Sequence, residues 1–162
     1  WDLSARTRAV QLSSFSPSLV DARFSSTSGM APDVEAVVRA RGWLEEGGGQ
    51  LLEQQLRFKY LLATDDSDRI YWMAMGNSLL FVPASSVLRG CGLSAFRPFE
   101  HYLPLRSDLS DALERLAWAM EHEDESRRIV ARAASLARVV FGHEAQLLCL
   151  QRTMEAYAAL FE

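Results

Sequence analysis

The chain has 162 residues, of which 49% are hydrophobic and 23% charged, the balance of a folded domain and not of a disordered segment. Its net charge of −4, from 17 basic and 21 acidic residues, weighs against a strongly basic nucleic-acid binder. No apolar run approaches the roughly 18 residues that a membrane span needs.

The chain begins at Trp1, not at a methionine, so the absence of a visible signal peptide carries little meaning. Cys91 and Cys149 lie far apart, match no metal-ligand spacing and are too few for a disulfide framework. Their redox state stays open at this level. Lys59 is the only lysine among the 17 basic residues.

In chain order, residues 3–13 read as a short helix with Leu3, Val10 and Leu12 as apolar positions. Ser13 to Ser18, with Pro17, reads as a turn. Leu19 to Phe24 alternates as a short strand does, and Ser25 to Pro32 is a polar loop. Residues 33–41 read as a helix, opened by Asp33, with Val34, Val37 and Val38 on one face and Gly42 closing it. Gly47-Gly48-Gly49 reads as the most flexible point.

Gln50 to Arg57 reads as a short helix, and Phe58 to Ala63 as a buried strand. Asp68 to Gly76 is again helical, with Tyr71, Trp72, Met73 and Met75 packing into the core. Ser78 to Val82 is a second buried strand, ended by Pro83. Such a strand–helix–strand unit favours a parallel pair. Residues 84–100 are irregular, and His101 to Leu105 form a third strand that Pro104 confines to an edge.

The last third is helical. One helix is capped by Ser107 or Asp108 and carries Leu109, Leu113, Leu116, Ala117 and Met120. A second runs from about Glu125 to Val140 with Ile129, Ala133, Leu136 and Val140 aligned, and stops at Gly142. A third, from about Glu144 onward, aligns Leu147, Leu150, Met154, Tyr157 and Phe161. The pattern predicts an α/β fold: a Rossmann-like, doubly wound parallel sheet followed by C-terminal helices, in one domain spanning 1–162.

In such a sheet, ligands bind beyond the carboxyl ends of the strands. Thr64-Asp65-Asp66-Ser67-Asp68-Arg69 lies there, where a strand turns into a helix. The first N–H groups of a helix lack intrahelical partners and receive phosphates. Arg69 adds a guanidinium fork and Ser67 a hydroxyl, a set suited to a diphosphate. The plainer alternative is commoner: Asp66 or Ser67 as N-cap, Asp68 as a favourable charge in the first turn, and Arg69 in a surface ion pair. The three aspartates are a weak signal for a metal, and none is expected. His101 is read as a structural histidine bonded to a loop. Neither a nucleophile–base constellation, a P-loop nor a dinucleotide fingerprint is present.

Four strings carry a family pattern. Gln54 to Leu62, the trio Ser67-Asp68-Arg69, Asn77 to Phe81 and His101-Tyr102-Leu103-Pro104-Leu105-Arg106-Ser107-Asp108-Leu109-Ser110-Asp111 follow one another in order. Upstream, Arg6 with Val10 to Ser13, and Pro17 to Ala22, extend the pattern. Together they resemble glycosyltransferase family 90, which includes capsule-associated fungal proteins, lipopolysaccharide-modifying enzymes and Rumi-like protein O-glucosyltransferases.

The resemblance implies a GT-B enzyme: two Rossmann-like lobes that transfer glucose or xylose from a UDP-sugar to an acceptor hydroxyl on a protein or glycan. The matched part is the C-terminal, donor-binding lobe. Carried over, Arg69 and Ser67 hold the UDP diphosphate, Thr64, Asp65, Asp66 and Asp68 surround it, and Arg6 is a further candidate for the same charge. The carboxylate base belongs to an N-terminal lobe upstream of Trp1, so no catalytic residue is assigned. The mechanism implied is metal-independent, with no cofactor beyond the donor substrate. A lobe alone should be inactive and should expose apolar surface where the other lobe packs, with Tyr157 and Phe161 as candidate contacts. The alternatives are a non-catalytic relic used as a binding or scaffold module, and an unrelated α/β nucleotide-binding protein. The resemblance suggests the endoplasmic reticulum or Golgi lumen in a eukaryote and the cytoplasm in a bacterium.

Overall fold

The computed structural model describes residues 4–45, 52–64, 67–85 and 91–161, without the side chains of Leu52, Ser67, Asp68 and Arg69. The expected flexible point at Gly47-Gly48-Gly49 lies outside the described residues.

The centre is a three-stranded parallel sheet, β1 (Tyr60–Leu62), β2 (Leu79–Pro83) and β3 (Leu103–Leu105), in the order β1-β2-β3. Tyr60 pairs with Leu79, Phe81 with Leu103, and Pro83 with Leu105. β2 is buried at every position because it is central and covered on both faces. Pro104 sits in β3, the outer strand beside β2, where a missing donor is tolerated.

Alternation along β2 divides the core into two layers. Leu80 and Val82, with Leu61 of β1, meet Ile70, Met73 and Ala74 of α4 (Ser67–Met75). Leu93 and Phe96, at a 3₁₀ turn over Leu93–Ala95, complete that layer with Ala133 and Ala137 of α6 (Glu123–Val140). On the other face Leu79, Phe81, Leu103 and Leu105 meet Ala9 of α1 (Ala5–Phe15), Ala119 of α5 (Ala112–Glu121) and Ile129 of α6. The helix α6 joins both layers by crossing the amino ends of β1 and β2. There its Val130 and Ala134 line a cleft with Lys59, Tyr60, Asn77 and Leu79.

The α/β class and the parallel sheet agree with the sequence reading and are consistent with a Rossmann-like unit. The described strands step one way, in the order β1-β2-β3, and include no reversal of direction. Crossovers that step in one direction fall on one side of a sheet, and α4 and the 3₁₀ turn share one core layer accordingly.

Four local expectations also change. Residues 19–24 form no strand; only Phe24 bridges to Leu44. The Ser13 hydroxyl donates to Val20 O at 2.9 Å and accepts from Ala22 N–H at 3.1 Å, so a side chain serves backbone groups that a neighbouring strand would have served. The helix α5 starts at Ala112, not near Ser107, because Asp108 Oδ1 accepts the Ser110 N–H in a local turn and Leu109 takes a left-handed φ of 56°. Leu109 is buried outside the helix, and Leu113 and Met120 are exposed. On α4, Met73 is buried and Tyr71 packs on Phe141 at 4.0 Å, but Trp72 and Met75 face solvent. The 84–100 stretch holds the 3₁₀ turn and, through Cys91, a disulfide to Cys149 on α7 (His143–Ala158).

Near the amino end of the chain, α2 (Pro32–Ala40) opens on a proline at its first turn and buries Val38, while Gly42 takes a φ of 64° just beyond it. The helix α3 (Leu52–Gln55) is a single turn ahead of β1.

Candidate functional site

Beyond Leu62, the Ala63 N–H donates to Phe81 O at 2.9 Å, so the carboxyl end of β1 stays fastened to β2. Thr64 follows, half-buried, and α4 begins at Ser67. Ile70, Met73 and Ala74 seat α4 on the sheet, which fixes its amino end beside the end of β1. The first-turn N–H groups of this nine-residue helix have no partner within the helix.

Of the sequence-predicted site residues, Thr64 and Arg6 share the lining of one groove. Both line an open groove of about 1390 Å³ that runs along β1 and under the α1–α2 segment. Asp65 and Asp66, and the side chains of Ser67, Asp68 and Arg69, lie outside the described residues. The backbone of Ser67 to Arg69 forms the first turn of α4.

The groove has further charged and aromatic groups that the sequence reading did not select. Arg41 holds its guanidinium 4.9 Å from the centre of the Trp43 ring, and the Trp43 indole N–H donates to Ser14 Oγ at 2.7 Å. Arg23 pairs with Asp21 at 3.3 Å. The available signal was the string Arg41-Gly42-Trp43, where a left-handed glycine reverses the chain and returns both side chains to one surface.

The motif strings build the scaffold beneath this groove. Lys59 pairs with Glu123 at 2.8 Å, which raises the lysine pKa and, with Arg127, lowers that of Glu123. Ser78 is buried and its hydroxyl donates to Phe58 O at 2.6 Å, tying the start of β2 to the start of β1. His101 Nδ1 accepts the Arg97 N–H at 3.0 Å, the structural role expected of it. Asp111 is buried, accepts the Arg106 N–H at 2.9 Å and stands 3.6 Å from Arg115 Nε. A second cleft, of about 420 Å³, lies at the amino ends of the strands with Lys59 and Arg127 at its rim, away from the amino end of α4.

A parallel sheet covered on both faces, with a helix opening at the carboxyl end of a strand, is the class of scaffold that carries nucleotide and phosphate sites. No family model matches the chain. It is 28% identical to Protein O-glucosyltransferase 2 of Danio rerio over 107 residues, which are 64% of this chain and 21% of that protein. It is 28% identical to Protein O-glucosyltransferase 3 of Rattus norvegicus over 105 residues, 63% of this chain and 20% of the relative. With Protein O-glucosyltransferase 3 of Homo sapiens it shares 26% identity over 138 residues, 82% of this chain and 25% of the relative. The matched part of the chain thus spans 20–25% of the length of these curated relatives. The likenesses support a distant relationship to glycosyltransferases. None of the described helices is long and apolar enough to cross a membrane.

Proposed function

We propose that this chain supplies the UDP-sugar-binding half of a glycosyltransferase that moves glucose or xylose to an acceptor hydroxyl on a protein or glycan. The observation that carries this reading is the placing of the first turn of α4, whose N–H groups have no partner within the helix, after the carboxyl end of a fastened strand. The likeness to O-glucosyltransferases supports it.

In this reading the donor's diphosphate meets the first turn of α4. Sugar transfer breaks the bond between the anomeric carbon and the diphosphate oxygen, and negative charge builds on the departing UDP. The helix N–H groups and the Arg69 guanidinium stabilise that charge, and the hydroxyls of Ser67 and Thr64 add donors. Asp65, Asp66 and Asp68 shape the loop around it. Arg6, in the same groove as Thr64, contributes positive charge from α1. No metal is needed for this stabilisation. The base that deprotonates the acceptor comes from a second lobe, and the exposed row Leu147, Leu150, Met154, Tyr157 and Phe161 is the surface against which the rest of the enzyme packs.

Titration of UDP into the chain tests the reading, with circular dichroism confirming the fold of each sample. A half-site should bind with a Kd on the order of 0.1–1 mM. Arg69→Ala should weaken that by about tenfold or more, and adenosine diphosphate should compete poorly. A folded chain that ignores UDP up to about ten times that range, or an Arg69→Ala variant that binds equally well, would overturn it.

A further inference from the structure

The helix α7 has no buried residue along its 16 positions. Ala145, Gln146 and Cys149 are half-buried on one face, and every residue from 150 to 161 is exposed. Gln146 Nε2 donates to Val140 O at 2.8 Å and to Cys91 O at 3.4 Å. The covalent link is the Cys91–Cys149 disulfide, which joins positions 58 residues apart with their Cα atoms 5.9 Å from each other.

The turn that receives this link belongs to the core. Gly92 has a φ of +87° and lies so close to α6 that a Cβ there would stand 2.7 Å from Val140 Cβ. Leu93 beside it is fully buried, and Phe96 stacks on Phe141 at 5.8 Å. One end of the disulfide is therefore anchored in the core, while the helix at the other end has almost no packing against the described residues of this chain. An isolated helix of about this length is marginal in water.

We propose that the Cys91–Cys149 disulfide is a redox-sensitive clamp. Closed, it fixes the direction in which α7 projects and so presents the apolar row on that helix. Opened, it releases α7 while the sheet and both core layers stay folded. A dithiol reductant opens it by giving two electrons and two protons: the Sγ–Sγ bond breaks, both cysteines become thiols, and the reductant's own sulfurs form the new disulfide. The closed form belongs to oxidising surroundings.

The test is hydrogen exchange read by mass spectrometry on the full chain, oxidised and then reduced with dithiothreitol, with Cys149→Ser in parallel. Thiol titration of the oxidised protein should find no free cysteine. Reduction should speed exchange in peptides covering 143–158 by about tenfold or more and leave those of β2 and α6 unchanged. Cys149→Ser should reproduce that pattern without reductant, and oxidised Gln146→Ala should keep α7 protected. Unchanged exchange in α7 on reduction, free thiols in the oxidised chain, or loss of protection throughout the sheet would each overturn the proposal.

Discussion

The hydroxyl of Ser78 reaches the carbonyl of Phe58 at 2.6 Å across 20 residues of chain, and the serine is buried. Beside this bond the Leu79 N–H donates to Lys59 O at 2.9 Å, so the starts of β1 and β2 are joined twice. Removing the hydroxyl leaves the Phe58 carbonyl without this donor at a part-buried position. Ser78→Ala should lower unfolding free energy by about 1–2 kcal/mol in urea denaturation. A change below about 0.3 kcal/mol would show that the bond adds nothing net.

Asp111 plays the corresponding part at β3. One carboxylate oxygen holds the Arg106 N–H and the other faces Arg115, whose guanidinium also lies 5.3 Å from the Phe99 ring centre. Asp111→Ala takes away the acceptor and the countercharge together and should cost about 2–3 kcal/mol. Asp111→Asn keeps one acceptor and should cost roughly half of that. Equal losses for both variants would assign the whole effect to charge.

His101 gives stability a pH dependence. Burial lowers its pKa below the usual 6.5; Arg132 and Arg97 press in the same direction, and Glu100 opposes them. Its Nδ1 accepts a backbone N–H, a role that protonation abolishes. The unfolded chain therefore binds the proton more readily than the folded one. The histidine's contribution should be full above pH 6.5 and fall away as the pH drops from there to the lower folded-state value. Urea midpoints measured between about pH 7.5 and 5 should decline over that window, and His101→Gln should flatten the part that comes from this residue. An unchanged slope in the variant would place the effect elsewhere.

Among the described glycines, Gly92 has the least freedom to change. Alanine there meets both an unfavourable left-handed conformation and Val140 at 2.7 Å. Gly92→Ala should cost about 2 kcal/mol or more and lower the Tm by several degrees. Gly29, with a φ of +81° and nothing near its missing Cβ, is the control: Gly29→Ala should cost only the conformational part, about 1 kcal/mol.

Particular elements show how far the sequence could be read. The run Ser78 to Val82 was legible as a buried parallel strand because it is apolar from Leu79 onward and follows a helix of crossover length; of Phe58 to Ala63 only Tyr60–Leu62 pairs as a strand, and Phe58 and Lys59 before it are exposed. The long helix α6 was legible from its 3.6-residue apolar repeat, which the structure buries at Ile129 and Ala133 and half-buries at Leu136 and Val140. Its neighbour α5 was misread at its start, since Leu109 continues the apolar spacing yet sits in a left-handed turn that Asp108 and Asp111 organise through side chain–backbone bonds. Periodicity carries no information about such bonds. The same limit applies to residues 19–24, where the Ser13 hydroxyl takes the place of a strand partner.

At the candidate site, the strand ahead of Thr64 and the helix that includes Arg69 were legible, because each is a local property of the chain. The meeting of Arg6 and Thr64 in one groove, and the stacking of Arg41 on Trp43, were not derivable from local patterns, because they depend on how α1 and α2 lie against the sheet. The cysteine pair is the clearest case: 58 residues separate Cys91 and Cys149, and no spacing rule connects them.

By itself the sequence determined which segments are helix or buried strand, the parallel α/β class, and the kinship with glycosyltransferases, since these rest on local periodicity and on the order of short strings. Tertiary structure alone decided which helices cover which face, where α5 begins, which residues share the groove, and that Cys91 meets Cys149. Each of those depends on contacts between distant parts of the chain, and such contacts form only when burying two apolar layers on one sheet brings those parts together.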